Sequence, residues 1–312
     1  MKAFSKTFIL PLFILPILIL GCAKTPTPLP LSEAEAKFIK SLKEEYGYDI
    51  TIRQIENTLF IYHPMRVSLV DIKASEGGPK ESKEAKELMS VKYIGASYQD
   101  RSFTVEYDIG LNKTYSKDYG YSSIYTEEFQ KRQNNIFSAL SGNYFDAQGS
   151  PERKVPDFLV LVIADIVKGI EIEVTTYIPD LKRAMSLAAD ITQEEYAKRY
   201  LTEIRGNTAI IDDATGSHLE YKPVVFTGFL ARQIVNRVNF KYLRSSFPPS
   251  EDTVKEISKI AAETFGAYQF KDYNALTLKD LNSGRSEIVS PAQIEKLNEN
   301  SPPGRFINIK FN

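Results

Sequence analysis

The sequence predicts an α+β fold, and three observations support that prediction. Ser32 and Glu35 have the spacing of a capping box, and apolar residues then recur every four positions until Gly47, which predicts a first helix. Two pairs of short apolar runs follow, each pair joined by a two-residue turn, as in antiparallel strands. The second half of the chain shows more helical periodicity than the first. A helix that leads into paired strands is typical of the α+β class.

The predicted strand pairs are 48–55 with 58–63, and 90–98 with 101–109. The run FLVLVIADI, at 158–166, is apolar on both alternating faces, which is typical of a central strand, although a short buried helix has the same pattern. The next run, IEIEVTTY, places Glu171 and Glu173 opposite its apolar residues. We expect both glutamates to face solvent rather than to form a carboxylate pair.

Helical patterns dominate the later part of the chain. Thr192 and Glu195 form a second capping box, and the apolar stripe after them predicts a helix that ends at Gly206. Residues 146–156 carry no periodic apolar pattern, so they predict a boundary between an α+β domain at 32–145 and a helix-rich α+β domain at 157–312. One continuous domain is the open alternative.

The first 22 residues have the three parts of a secretory signal. Lys2 and Lys6 form a basic start, residues 7–20 form an apolar run with two prolines, and Gly21 places a small residue before Cys22. The apolar run has 14 residues, whereas a membrane-spanning helix needs roughly 20. A cleaved signal is therefore favoured over a permanent membrane helix.

The stretch ILGC, at 19–22, resembles the lipobox of bacterial lipoproteins. The resemblance covers only these first 22 residues, and Leu20 departs from the small residue more usual at its position. In that family the cysteine receives a diacylglycerol thioether, the signal (here 1–21) is cleaved before it, and the new amino terminus is acylated. The resemblance implies that lipidated Cys22 anchors the chain in a bacterial cell envelope, in the outer membrane where the cell has one. An ordinary signal followed by an incidental cysteine is the alternative.

Lipidation of Cys22 restricts the chemistry of the mature chain. It is the only cysteine, so disulfides, cysteine nucleophiles and cysteine metal sites are excluded. Loss of 1–21 leaves 37 basic residues against 40 acidic ones, a balance that gives no indication of nucleic-acid binding. Residues 22–31 alternate prolines with other residues, and this pattern predicts an extended tether between membrane and body.

Sequence motifs for catalysis are absent. The chain has no GxSxG elbow, no phosphate-binding glycine loop and no HExxH. It holds only two histidines, His63 and His218, so a three-histidine zinc site is excluded, and we predict no metal and no cofactor. His63 stands before a proline at the end of a predicted strand, where we expect a half-exposed turn residue.

The segment IIDDATGSHLEY gathers Asp212, Asp213, Ser217 and His218 in a loop after a short apolar strand. Acid, hydroxyl and imidazole groups suit general acid–base chemistry or a calcium ion, but their spacing matches neither an EF-hand nor a nucleophile elbow. Ordinary turns use the same residue types, and we favour that interpretation. If the protein is an enzyme, the candidates are His218, Asp212 and Asp213.

Two further segments are candidate binding surfaces. KTYSKDYGYSSIY brings together Tyr115, Tyr119 and Tyr121, which suit protein or glycan contacts, or else cover the core at an irregular edge. In FTGFLARQIVNRVNFKYLRSSF, a helix would place Arg237, Lys241 and Arg244 within an arc of about 60°. This basic arc fits an anionic surface. The alternative, which we favour, is a core helix whose cations pair with acids elsewhere.

These features predict a lipid-anchored envelope protein whose body is a structural or binding module. The predicted partners are the membrane, through acylated Cys22, and an envelope protein or an anionic surface. The competing class is an envelope hydrolase or metal-dependent enzyme, which would place the His218 loop in a concave pocket with a second polar segment. A third class, a carrier of an apolar ligand, would need a large apolar cavity.

Overall fold

The computed structural model describes residues 28–73, 88–112, 122–186, 191–244 and 252–299. Their alternating helices and strands confirm the α+β class. The helices are α1 (Leu31–Tyr46), α2 (Glu127–Asn143), α3 (Ile178–Met185), α4 (Gln193–Ala197), α5 (Phe226–Arg244), α6 (Thr253–Ala267) and α7 (Pro291–Glu299). The strands are β1 (Thr51–Ile55), β2 (Thr58–Met65), β3 (Val70–Lys73), β4 (Leu88–Gln99), β5 (Ser102–Asn112), β6 (Ser122–Tyr125), β7 (Phe158–Asp165), β8 (Ile170–Tyr177), β9 (Leu201–Gly206), β10 (Ala275–Asp280) and β11 (Ser286–Val289).

The strands form two mixed sheets and one small pair. The five-stranded sheet has the order β1-β2-β7-β8-β9, and the four-stranded sheet has the order β11-β10-β5-β4, while β3 pairs with β6. The predicted hairpins β1–β2 and β4–β5 are present and antiparallel. The sequence did not predict the parallel pairs β2–β7 and β5–β10, which connect distant parts of the chain.

The predicted central strand is confirmed as β7. It lies in the middle of the five-stranded sheet and every one of its residues is buried. On one face Leu159 and Leu161 pack against α1 and α2, and on the other Val160 and Val162 lie under the loop that precedes α5. Both faces of this sheet are therefore covered, which explains the continuous apolar run.

A separate apolar cluster joins the four-stranded sheet to α5 and α6. Phe103 from β5, Ile234 from α5 and Phe265 from α6 are among its fully buried members. Phe158, at the start of β7, belongs to the same cluster. The two sheets consequently meet around the beginning of β7.

Residues 146–156 separate α2 from β7 along the chain. Strands from both sides of this segment are neighbours in each sheet, because β2 pairs with β7 and β5 pairs with β10. The break in the apolar pattern is therefore not a break in either sheet. Among the described residues, no helix is long and apolar enough to cross a membrane.

The prediction of a helix from Thr192 to Gly206 is correct for the first turn and wrong for the rest. Thr192 does cap α4, accepting a hydrogen bond from the amide of Glu195, but α4 ends at Ala197 and the chain continues as β9. Thr202 and Ile204 are β-branched and lie opposite Val174 and Ile172 on β8. Pairing with a sheet edge has overridden a helical spacing that these residues also fit.

Three other boundaries differ from the sequence prediction. Helix α1 begins at Leu31 after Pro30 with no side-chain cap, so Ser32 lies inside the first turn, although Gly47 ends the helix in the left-handed conformation as expected. Apolar residues at helical spacing predict a helix from Thr126 to about Ser141 that ends at Gly142, but Gly142 lies within α2. The apolar stretch before Asp212 is a 3₁₀ turn at Thr208–Ile210, not a strand.

Candidate functional site

The loop between the 3₁₀ turn and α5 crosses the outer face of the five-stranded sheet. Tyr62 of β2 donates a 2.6 Å hydrogen bond to the carbonyl of Asp213, and Tyr221 donates to the carbonyl of Gly216. Gly216 has φ +72°, and a Cβ atom there would lie 2.8 Å from Cγ of Tyr62. Only glycine combines that backbone conformation with so close an approach to the tyrosine ring.

Asp213 organises this loop as a turn, in the way the residue types predicted. Its Oδ1 accepts hydrogen bonds from the amides of Thr215 and Gly216, and its Oδ2 accepts from the amide of His218. Oδ2 also lies 2.6 Å from Nδ1 of His218. Burial alone would raise the pKa of Asp213, but the hydrogen bonds from His218 and Thr215 hold it well below its usual range.

A contact that the sequence did not predict joins this turn to β8. Nε2 of His218 lies 3.0 Å from Oε2 of Glu171, and the side chains of Glu171, Asp213 and His218 are 5%, 7% and 5% exposed. Burial alone would lower the pKa of His218, but the hydrogen bonds to Asp213 and Glu171 outweigh it and the pKa is raised. We call this arrangement the His218 latch, an imidazolium that donates from both nitrogens to carboxylates.

The prediction that Glu171 faces solvent is therefore wrong. Strand alternation places Glu171 and Glu173 on the face opposite Ile172, as expected, but the loop before α5 covers that face. Asp212, the third member of the candidate set, is not part of the latch. It is exposed, and its one ion pair within the described chain is with Arg66, at 3.5 Å.

Beside the latch lies a cleft of about 680 Å³, which we call the charged cleft; its lining includes Glu171, Glu173, Arg205, His218 and Arg232. Nη1 of Arg205 lies 3.1 Å from Glu173, and Arg232 pairs with Glu203. Both arginines of this cleft thus have carboxylate partners. In the described part of the chain, no group of three or more His, Cys, Asp or Glu residues could hold a metal ion.

His63 is not the half-exposed turn residue that its sequence context predicted. It lies within β2 and is 2% exposed. Its Nδ1 lies 3.0 Å from the carbonyl of Asp49 and Arg132 donates to its Nε2, so the ring serves once as donor and once as acceptor. Burial is the main reason that the pKa of His63 is lowered, which is consistent with a neutral ring.

The predicted basic arc of α5 is mostly internal. Arg237 is 8% exposed and lies 3.0 Å from Glu195, and Lys241 pairs with Glu256 of α6. The favoured interpretation, a core helix whose cations pair with acids elsewhere, is confirmed for these two residues, because α4 and α6 pack where the arc points. The side chain of Arg244 lies outside the described residues, as do Tyr115, Tyr119, Tyr121 and Cys22.

Arg237 belongs to a buried cluster that we call the Arg199 network: Asp180, Arg183, Glu195, Arg199 and Arg237. Arg199, with a side chain only 2% exposed, donates to Asp180 at 2.8 Å and to Glu195 at 2.9 Å. Burial alone would raise the pKa of Glu195, but Arg237 and Arg199 lower it. Three arginines thus face two carboxylates in the interior.

Several polar atoms in and against this network lack hydrogen-bond partners among the described residues. These buried atoms are Asp180 Oδ2, Arg183 Nε, Gln233 Oε1, Arg237 Nε and Tyr268 Oη. Each such group costs roughly 1–3 kcal/mol of desolvation unless water or a ligand completes it. Their concentration around one arginine marks an incompletely satisfied interior.

Two members of the Arg199 network, Asp180 and Arg183, line a second cleft, of about 740 Å³, which we call the aromatic cleft. Its lining includes the rings of Phe158, Tyr177, Phe226, Tyr268 and Phe270, and it also includes Asp180 and Arg183. The ring centroid of Phe226 lies 5.8 Å from the ring centroid of Tyr177 and 5.7 Å from that of Tyr268. An apolar wall next to a few fixed polar groups is the usual composition of a small-molecule site.

Sequence reasoning missed both the network and the aromatic cleft. Asp180 comes from α3, Glu195 from α4, Arg237 from α5, and Tyr268 from the end of α6. No local spacing links these elements, so no sequence signal marks the site. Comparison with protein-family models, with curated proteins and with solved structures gives no match.

Proposed function

We propose that this chain is a lipid-anchored binding protein of a bacterial cell envelope, and that its ligand occupies the aromatic cleft. The observation that carries the proposal is a set of buried polar atoms in Asp180, Arg183 and Tyr268 that line that cleft and make no hydrogen bond to other described residues. A bound ligand that completes their hydrogen bonds offsets the desolvation cost of these atoms.

The membrane anchor in this proposal rests on the lipobox-like stretch ending at Cys22. Helix α1 begins at Leu31, so the tether between Cys22 and the body has 8 residues. In a polyproline conformation such a segment spans about 25 Å, at about 3.1 Å per residue. The body would then lie close to the membrane surface and sample ligands there.

Analysis of small molecules retained by the protein tests this function. The acylated chain would be purified from bacterial membranes and its extract compared by mass spectrometry with those of two variants. Ala267→Trp adds an indole to the lining of the aromatic cleft. Gly228→Trp does the same in the charged cleft, where a Cβ atom meets nothing within 4 Å.

The binding account expects a molecule that is retained by wild type and by Gly228→Trp and is lost from Ala267→Trp. Equal melting temperatures of the two variants would show that the difference comes from the cleft. If Ala267→Trp retains the molecule, or if the wild-type protein retains none, the result contradicts a ligand site in the aromatic cleft.

One observation favours a second function, that of a hydrolase. His218 and Glu171 both line the charged cleft, in a concave setting with a second polar segment. Both nitrogens of His218 are occupied by carboxylates, so in that reaction Glu171 would exchange a proton with the substrate while His218 and Asp213 orient it. Full cellular complementation by Glu171→Gln would exclude this alternative, whereas a folded but inactive Glu171→Gln would favour it over binding.

A further inference from the structure

The aromatic cleft combines a charge imbalance with a particular set of open hydrogen-bonding atoms. Among the described residues, the guanidinium groups of Arg183, Arg199 and Arg237 pair with just two carboxylates, those of Asp180 and Glu195. Arg199 and Arg237 have close partners there, whereas the one ion pair of Arg183 is with Asp180, at 3.6 Å. Within the network the surplus positive charge therefore falls to Arg183, which lines the cleft. The lining also carries Asp157, Lys271 and Asp272, of which Lys271 pairs with Glu295 and Asp272 pairs with Arg101.

Two open donors lie at this end of the cleft. Nε of Arg183 is buried and has no partner among the described residues. Oη of Tyr268, a residue that is 8% exposed, makes no hydrogen bond of ordinary geometry there, although it faces the carboxylate of Asp180. Burial, together with the nearby carboxylate of Asp180, raises the pKa of Tyr268 well above its usual value. The phenol therefore keeps its proton and is a donor at neutral pH. Two donors and a surplus cation fit a ligand carboxylate.

One open acceptor accompanies these donors. Oδ2 of Asp180 has no hydrogen bond within the described chain, while Oδ1 of the same carboxylate is held by Arg199. A ligand carboxylate alone would leave Oδ2 without a partner and would add a second negative charge close to it. A neutral N–H or O–H next to the ligand's carboxylate would complete Oδ2 without repulsion.

Aromatic rings form much of the rest of the cleft, and its lining also includes Asn57, Asp157, Gln269, Lys271 and Asp272. The rings of Phe158, Tyr177 and Phe226 form a contiguous wall, with centroids 5.4 Å and 5.8 Å apart along the series. Such a wall suits an aromatic or branched aliphatic side chain. The cleft volume, about 740 Å³, is in the ordinary range for small organic ligands.

Taking these features together, we infer that the aromatic cleft binds an N-acylated amino acid with an apolar side chain, either as a free molecule or as the carboxyl-terminal residue of a peptide. Its carboxylate accepts hydrogen bonds from Arg183 and Tyr268, its N–H donates to Asp180, and its side chain packs on the ring wall. A free amino acid fits less well, because its ammonium group would cancel the ligand's net negative charge. This inference rests on the proposed binding function and deepens it.

Titration calorimetry with N-acetylphenylalanine tests the inference on the full acylated chain in lipid nanodiscs, with empty nanodiscs as the blank. The neutral amide of the same compound lacks the carboxylate charge, and phenylpropionate lacks the N–H. We expect each to bind at least about tenfold more weakly than N-acetylphenylalanine, because each loses a hydrogen bond to a charged group.

An acetylated tripeptide that ends in phenylalanine distinguishes a free ligand from the carboxyl-terminal residue of a peptide. Tighter binding indicates a peptide terminus and weaker binding a free ligand, and either supports the recognition chemistry.

Arg183→Gln tests the assigned cation, and Arg205→Gln in the charged cleft is its matched control. We expect Arg183→Gln to weaken N-acetylphenylalanine binding about tenfold or more and Arg205→Gln to leave it unchanged. Equal binding of acid and amide together with no effect of Arg183→Gln overturns the inference, as does absence of binding by every probe. If acid and amide bind equally and Arg183→Gln has no effect, loss of binding in Ala267→Trp would still support a ligand site in the cleft. Mass spectrometry of the molecules retained by the purified protein tests the binding function separately.

Discussion

Nε2 of His218 lies 3.0 Å from Oε2 of Glu171, although 46 residues separate the two in the sequence. Through Nδ1 the same ring contacts Asp213, so one imidazole joins the loop before α5 to β8, the strand next to the edge strand β9 of the five-stranded sheet. The latch is ionic, since the raised pKa of His218 favours the imidazolium. Its contribution to stability should therefore depend on pH.

The difference in unfolding free energy between wild type and His218→Gln measures that contribution. The folded pKa of His218 is raised above the reference value of 6.5, so the stabilisation is fully present below pH 6.5 and is lost as pH rises through the folded pKa. The pKa of Asp213 is lowered from 3.8, so its share is lost only as pH falls below that value. We expect a difference of about 2 kcal/mol near pH 6, as measured by urea unfolding.

His63 provides the opposite pH trend in the same protein. Its folded pKa is lowered below 6.5, so its contribution is present above pH 6.5 and declines as pH falls toward the folded pKa. The stability difference between wild type and His63→Gln should therefore shrink on acidification. If both histidine variants show the same pH trend, the latch is not an imidazolium bridge.

Gly216→Ala should destabilise the protein more than Gly284→Ala does. Both glycines have a left-handed backbone, with φ of +72° and +71°, so both changes carry a similar conformational cost of about 1 kcal/mol. Only at Gly216 does the new Cβ atom meet the ring of Tyr62, whereas at Gly284 it meets nothing within 4 Å. The added clash should cost about 1–3 kcal/mol by thermal unfolding. Equal costs would mean that the loop does not rest on Tyr62.

Arg199→Met should destabilise the body strongly, because it leaves the buried Asp180 without its closest cation. Loss of one partner of a buried ion pair costs about 3–5 kcal/mol. Lys198→Met is the matched control, since Lys198 pairs at the surface with Glu194 and should change stability by under about 1 kcal/mol. Chemical denaturation of both variants checks the comparison. A small loss of stability in Arg199→Met would mean that water replaces the hydrogen bonds that Arg199 makes in the network.

Cys22→Ser should abolish membrane retention if acyl chains provide the anchor. Two or three chains bind a bilayer far more firmly than one, and the apolar run before Cys22 is too short to span it. Radiolabelled fatty acid and membrane fractionation give the readout. Lipid incorporation that persists in the variant would contradict the lipobox-like assignment.

The fold could be predicted where the local sequence decides the structure. Thr126 and Thr192 accept the capping hydrogen bonds of α2 and α4, Gly47 ends α1 in the left-handed conformation, and β7 is a central strand as its apolar run indicated. The parallel pairing of β2 with β7 could not be predicted, because its partners lie about 100 residues apart and share no turn.

The candidate site was less accessible to sequence reasoning. Alternation correctly placed Glu171 away from Ile172, but it does not reveal whether a further layer covers that face. The helical spacing of Arg237 and Lys241 was predicted correctly. Only tertiary packing decides whether these side chains contact solvent or the acidic residues of α4 and α6. Residues 113–121, with their tyrosines, lie outside the described chain, so their role remains a prediction.

A crystal structure of the acylated chain purified directly from membranes tests the central claim most directly. The binding account predicts non-protein electron density in the aromatic cleft, within hydrogen-bonding distance of Arg183 Nε and Tyr268 Oη. Density for isolated waters alone at those atoms would contradict it. A ligand found instead in the charged cleft, against Glu171 and His218, would contradict it as well and would favour the hydrolase.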